Sequence, residues 1–386
     1  MLNCTMAGLL RTFVGFTVPL ALTLICPFRG EAQPANVFHV AVDGSAQYKS
    51  VQAAIDAVPV SGGTVLISPG TYRGQVIINQ SHVTLRGTGP DPRAVVLVDD
   101  TSQGTRGSKP SYATVHVLGS DFHAFNLTFQ NDFNRTHEQV SAGSQAQALN
   151  MEGDRNILDH VEILGNQDTL YIGARGCGQA GSLRTPPPSS TSFPAATQAA
   201  PTATKAPCTP AVTRSYFTHC VISGNVDFIY GDGNAVFDNC EIHSTLHAAG
   251  GYLTAQGKYL ADQQSTFVFD HCRLTAEPGE THVYLGRPWR PYASVVYLYC
   301  EMGAHIDPAG WHEWHPGETH NLNTVFYAEY KSTGPGADPA ARDPHSHQLT
   351  AAQAKQFETK RFLAGEDHWN PKEEARKDLA KGGGRD

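Results

Sequence analysis

The chain has 386 residues, with 28 Lys and Arg against 36 Asp and Glu, a formal net charge of −8. There is no basic footprint, so nucleic acid is excluded as an expected partner, and an acidic polymer would have to be held by local groups. Hydrophobic residues make up 40% of the chain and 37 glycines separate many short Val/Ile/Phe runs, a balance that favours β structure with frequent turns.

Residues 1–32 read as an export signal. Arg11 precedes the apolar run Thr12–Cys26, and Gly30-Glu31-Ala32 supplies a small-x-small cleavage pattern. The run is short for a membrane span. Cleavage would leave six of the eight cysteines in an oxidising, extracellular or periplasmic compartment, with no membrane attachment.

Residues 33–372 form the expected folded domain. Between Val37 and Val65 the pattern is strand, turn, amphipathic helix, strand, with helical spacing over Ser50–Val58 that stops at Pro59. Short strands follow at Thr64–Ile67, Gln75–Ile78, Val83–Leu85, Val95–Val98 and Ala113–Val117. Towards the C-terminus, Ala351–Ala364 is expected to be helical, and the charged tail 373–386 is expected to fray.

Arg155–Tyr171 and Arg214–Tyr230 repeat one another without a gap, at a constant offset of 59, so that Asp168 falls on Asp227. A second repeat is a column at Phe217–Cys220, Phe237–Cys240, Phe269–Cys272 and Leu298–Cys300, whose cysteines are spaced by 20, 32 and 28 residues. Such repeats indicate stacked coils, each burying its apolar face on the next. The expected architecture is all-β, a right-handed parallel β-helix with a short N-terminal helix and a C-terminal helical tail. Parallel neighbours ~4.8 Å apart would bring the two aspartates together, and like charges so close do not both ionise readily. One acid and one base would result. The same rise suits the Cα separation of a disulfide, so Cys220–Cys240 is a candidate bridge; the alternative is a ladder of buried thiols.

Residues 177–212 break the pattern with a Pro/Ser/Thr/Ala-rich tract that cannot build a core. This insertion separates the matched segments, and Cys177 and Cys208 bracket it.

Five motifs, in order, resemble those of the pectin methylesterase (pectinesterase) family. They are Gly70-Thr71-Tyr72-Arg73, Gln145-Ala146-Gln147-Ala148-Leu149, Gly165-Asn166-Gln167-Asp168-Thr169-Leu170, Asp227-Phe228-Ile229-Tyr230-Gly231 and Leu285-Gly286-Arg287-Pro288-Trp289. The resemblance implies hydrolysis of the methyl esters of galacturonate units in pectin, without a cofactor or metal. By the same analogy Asp227 would be the nucleophile and Asp168 the general acid and then base. Gln145 and Gln167 would stabilise the oxyanion, and Arg287 would keep Asp227 ionised. Trp289, Trp311, Phe228 and Tyr171 are candidates for stacking on sugar rings. A monomer with an open groove is expected. Two positions depart from the family pattern: Gly74 stands where Glu is usual, and Asn150 where Arg is usual.

Two other readings fit a polysaccharide-associated β-helix. One is a non-catalytic binding module, which the complete set of Gln145, Gln167, Asp168, Asp227 and Arg287 disfavours. The other is a lyase or glycosidase of the same polymer, for which no suitable acidic cluster for Ca²⁺ is legible. Trp311–His315 does not lie on a recognisable helix, so its histidines give no zinc motif.

Overall fold

The computed structural model describes residues 36–137, 143–174, 212–315, 317 and 321–382. The export signal, nearly all of the 177–212 tract and both of its cysteines lie outside the described residues.

Among the described residues every strand pairing is parallel, and the strands fall into three columns. The first runs from Val37–Val40 through Gly63–Ile67, Val83–Gly87, Arg214–Thr218, Asn234–Asp238, Phe267–Asp270 and Ser294–Leu298 to Phe326–Tyr330. The second includes Gly70–Arg73, Val95–Asp99, Val221–Gly224, Glu241–Ser244 and Arg273–Ala276. Two nine-residue strands, His123–Asn131 and Asn156–Leu164, bend through both columns. The third column is a separate seven-stranded sheet from Val76–Ile78 to Val283–Tyr284. This is the right-handed parallel β-helix that the repeats predict.

The corner between the first two columns has a consistent backbone cause. Asn126, His160, His219, Asn239, His271, Tyr299 and Lys331 occupy equivalent places on successive coils, each with φ between 50° and 53°. A single left-handed residue turns the chain from one face to the next, and Asn and His are among the side chains that tolerate this best.

The apolar column is real and slightly longer than its sequence suggests. Phe217, Phe237, Phe269 and Tyr297 stack with ring centroids 4.6 Å apart and planes within 14° of parallel. Each such contact adds about 0.5–1.5 kcal/mol beyond the burial of the rings. Cys220, Cys240, Cys272 and Cys300 stack behind them as buried free thiols, and the Cys220–Cys240 disulfide is not formed. The reason is geometric: in-register strands keep Cβ atoms about 4.8 Å apart, beyond the ~3.5–4.5 Å that a disulfide requires. The thiols donate to backbone carbonyls instead, as Cys272 does to Phe237 at 3.2 Å.

The N-terminal helix, Val51–Ala57, begins at Ser50, whose side chain accepts the Ala53 N–H. Its Gln52 side chain bonds both the N–H and the carbonyl of Ile77 at the first strand of the third column, which leaves less of that sheet edge unpaired. The C-terminal region departs from expectation. Ala351–Ala364 is two single turns of helix, Ala351–Ala354 and Thr359–Phe362, around a 3₁₀ turn. Of the tail 373–386 that is expected to fray, the described part lies in a helix, Pro371–Gly382. It is tied to the coils by Lys372 Nζ on Asp238 at 2.6 Å and by His123 Nδ1 with Asp378 at 2.7 Å.

Candidate active site

The outer face of the seven-stranded sheet carries the site. The matched segments pair as Leu170↔Ile229, Tyr171↔Tyr230 and Ile172↔Gly231, which is the offset of 59 seen in the sequence. Gly231 makes the close approach possible: at φ +120°, a Cβ there would lie 2.1 Å from the Ile172 carbonyl oxygen. The coils stay in register across the insertion because its flanks meet, with Thr213 Oγ1 donating to the Gly173 carbonyl at 2.8 Å.

Asp168 and Asp227 therefore sit on adjacent rungs, and the Asp168 N–H donates to the Val226 carbonyl. Both are left-handed, at φ +62° and +51°. Non-glycine residues held there typically cost on the order of 1 kcal/mol or more and cluster at functional sites. Their surroundings differ. Arg287 grips Asp227 with two hydrogen bonds, Nε at 2.8 Å and Nη2 at 2.6 Å. Its guanidinium is itself sandwiched, 3.9 Å from the Tyr252 ring and 4.4 Å from the Trp314 ring. Burial raises the Asp227 carboxyl, and the Arg287 hydrogen bonds and charge oppose that rise. Burial and then the Asp227 charge push Asp168 well above the usual carboxylate range, with Tyr230 and the more remote Arg287 opposing. Asp168 thus holds its proton to higher pH, and Asp227 has a fixed cation.

Around them lies a cleft of about 490 Å³, lined in part by Gln145, Gln167, Tyr171, Arg287 and Trp289. Ser144 Oγ donates to Gln167 Oε1 at 3.0 Å, which leaves the Gln167 Nε2 hydrogens to serve the cleft. Gln145 also lines it, with a buried Oε1 that has no hydrogen-bond partner. Trp289 packs edge-on against Tyr230, whose ring in turn lies 5.0 Å from Tyr171.

Two proposed sugar-stacking residues are not at the cleft. Phe228 is fully buried in the core, because the irregularity between Val226 and Ile229 breaks strand alternation and turns both Phe228 and Ile229 inward. Trp311 is 2% exposed and stacks on Tyr327 at 4.1 Å inside the coil. Three residues later, Trp314 takes the place at the cleft that sequence reasoning assigned to Trp311. Sequence reasoning also missed Tyr112, Gln147 and Tyr230 as cleft residues. Tyr230 could have been found, since it closes the repeat and pairs with Tyr171.

Among the described residues, Asp159, His160 and His219 are the group close enough to hold a metal ion. They lie at the left-handed corner and none of them lines the cleft. A larger concavity of about 640 Å³ lies against the C-terminal helix and includes His123, Glu374 and Asp378. It is the seam along which that helix docks.

The site is thus a carboxylate pair, amide donors and aromatic rings on one outer face of a parallel β-helix. The sequence model of the family described as Pectinesterase matches residues 37–176 and 209–366. The chain belongs to the pectinesterase family. It is 31% identical over 354 residues to a probable pectinesterase/pectinesterase inhibitor 58 of Arabidopsis thaliana, covering 87% of this chain and 53% of that one. It is 30% identical over 340 residues to pectinesterase 31 of the same plant, covering 83% of this chain and 90% of the other. The chain thus spans about half the length of the first relative and most of the second. The solved pectin methylesterase from carrot superposes with a TM-score of 0.70 at 27% identity, over 87% of this chain and 96% of the carrot chain.

Proposed function

We propose that this chain removes methyl esters from galacturonate units of pectin and releases methanol. The observation that carries the reading is the asymmetry of the pair: Asp227 is clamped by Arg287, while Asp168, one rung away, has no such clamp and is driven towards its neutral form. An Asp227 oxygen attacks the ester carbonyl carbon. The negative charge on the carbonyl oxygen is met by amide donors from Gln167 and Gln145, and one such donor is worth about 3 kcal/mol in comparable sites. The bond to methoxide breaks as Asp168 gives up its proton, methanol leaves, and a mixed anhydride with Asp227 remains. Asp168, now a carboxylate, takes a proton from water as that water attacks the same carbon and expels Asp227. Trp289 and Trp314 offer apolar ring faces to the sugars, and Tyr171, 5% exposed, backs the cleft beneath them. The same reading makes the protein an exported one that acts outside the cell as a monomer.

The test is methanol release from highly esterified pectin together with viscosity. Methanol should appear without chain scission, and Asp227→Ala should abolish it while unfolding cooperatively near the parent temperature. A fall in viscosity without methanol would favour a lyase or glycosidase, and full activity of Asp227→Ala would end the proposal.

A further inference from the structure

The left-handed corner carries a cluster of side chains that the mechanism above does not use. His160 and His219 are matched positions of the 59-residue repeat, each following one member of the strand pair Asp159↔Thr218. Their backbones have the same shape, at φ 53° and 51°, so on adjacent coils the two side chains leave in the same direction. The imidazole rings stack with centroids 4.9 Å apart and planes 25° from parallel. Both meet the carboxylate of Asp159, whose side chain is 2% exposed. Its Oδ1 lies 2.6 Å from His160 Nδ1 and 3.4 Å from His219 Nδ1. Ligand atoms of the three residues all lie within 4.8 Å of one another.

The neighbouring rungs show what is particular here. In the row Asp159, Thr218, Asp238, Asp270 each carboxylate has its own partners. Asp238 holds the Lys372 ammonium and the Tyr216 hydroxyl, each at 2.6 Å. Asp270 holds one imidazole, His271 Nδ1 at 2.7 Å, and the ring stacked on that imidazole is Tyr299. Asp159 meets two imidazoles. The 3.4 Å contact is long for a hydrogen bond but close to the ~3.3 Å between two ligand atoms on a tetrahedral ion with bonds of about 2.0–2.1 Å.

We infer that Asp159, His160 and His219 form a binding site for a divalent transition metal of the zinc type, which fastens the coil leading to Asp168 onto the coil leading to Asp227. Two imidazole nitrogens and one carboxylate suit zinc and its neighbours, whereas calcium and magnesium take oxygen ligands. The ion takes the place of the Nδ1 protons, and water completes its shell. His160 draws back by about 0.7 Å to reach ligand spacing, and both rings, 55% and 54% exposed, have room to turn. Residues 177–212 lie between the two histidines in sequence, so the ion closes the loop that contains the insertion. An ion that binds the folded chain and not the unfolded one raises stability. None of the three residues lines the cleft, and the inference does not depend on the esterase reading.

The experiment titrates zinc chloride into the full chain, carrying no histidine tag, by calorimetry, with thermal melts alongside. The parent is compared with His160→Asn, His219→Asn and His271→Asn. Asparagine suits this corner, since Asn239 occupies the equivalent place one coil further on at φ 53°. The parent should bind one zinc per chain and melt a few degrees higher with zinc than without. His160→Asn and His219→Asn should each weaken binding at least tenfold and lose the shift, whereas His271→Asn should keep both. Calcium chloride should produce neither effect. If one of the two ligand variants fails to fold, the other decides. Absence of zinc uptake by the parent overturns the inference. So does uptake that survives in a folded His160→Asn or His219→Asn, which would place the ion elsewhere. An equal loss in His271→Asn, or an equal response to calcium, refutes it as well.

Discussion

Replacing Arg287 by alanine is the most demanding perturbation of the site. It deletes two charge-assisted hydrogen bonds to Asp227, at 2.8 and 2.6 Å, and empties the space between Tyr252 and Trp314. Hydrogen bonds to charged groups are worth about 1.5–3 kcal/mol each, and leaving one member of a buried ion pair alone costs about 3–5 kcal/mol. Asp227 can escape most of that cost by taking up a proton, which disables it as a nucleophile. If about 3 kcal/mol is differential between its ionised and neutral forms, the acid limb of the kcat/KM profile moves up by roughly two pH units at about 1.4 kcal/mol per unit. At a fixed mildly acidic pH that is a loss of about a hundredfold. Arg287→Lys keeps the charge without the planar fork and should fall in between. The assay is methanol release from esterified pectin between pH 4 and 9, with thermal melts alongside. A loss expressed only as a higher KM, with the acid limb unmoved, would refute the reasoning and leave Arg287 a substrate-binding group.

Two further predictions concern stability. Asp168→Asn should abolish methanol release yet raise the melting temperature at pH 8 and leave it nearly unchanged at pH 3. The sign follows from burial: a carboxyl raised in the folded state binds its proton there more tightly than in the unfolded chain, so its ionisation opposes folding as pH rises past the unfolded value. Phe237→Ala, in the middle of the ring stack, should cost about 3–5 kcal/mol in chemical denaturation with kcat of the remaining folded enzyme retained. A cost below about 1 kcal/mol would mean that the stack is not a source of stability.

What the sequence disclosed and what it hid follow from the same physics. Stacked coils force like residues onto like places, so Asp168 over Asp227, and Phe217 over Phe237 over Phe269, could be aligned by eye and were found where the alignment put them. Direction is harder to read than register. Phe228 neighbours a cleft carboxylate yet turns into the core at a local irregularity, and Trp314 rather than Trp311 reaches the cleft. The thiols of Cys220 and Cys240 occupy matching rungs but remain unbridged, since equal spacing keeps side chains parallel and prevents them from converging. The hydrogen-bonded group around Tyr230 draws on strands far apart in the chain, and no local pattern announces it.

The meeting of Gly173 and Thr213 has a consequence for the plasticity of the enzyme. Because the two ends of the excursion are fastened to each other, the scaffold is indifferent to the amount of chain that leaves and returns between them, and each doubling of such a loop adds only about 0.6 kcal/mol of closure entropy. The exit lies two residues beyond Tyr171, on the rim of the cleft. Asp168 and Asp227, on the rungs either side of this fastening, therefore keep their spacing whatever the length of chain between Gly173 and Thr213.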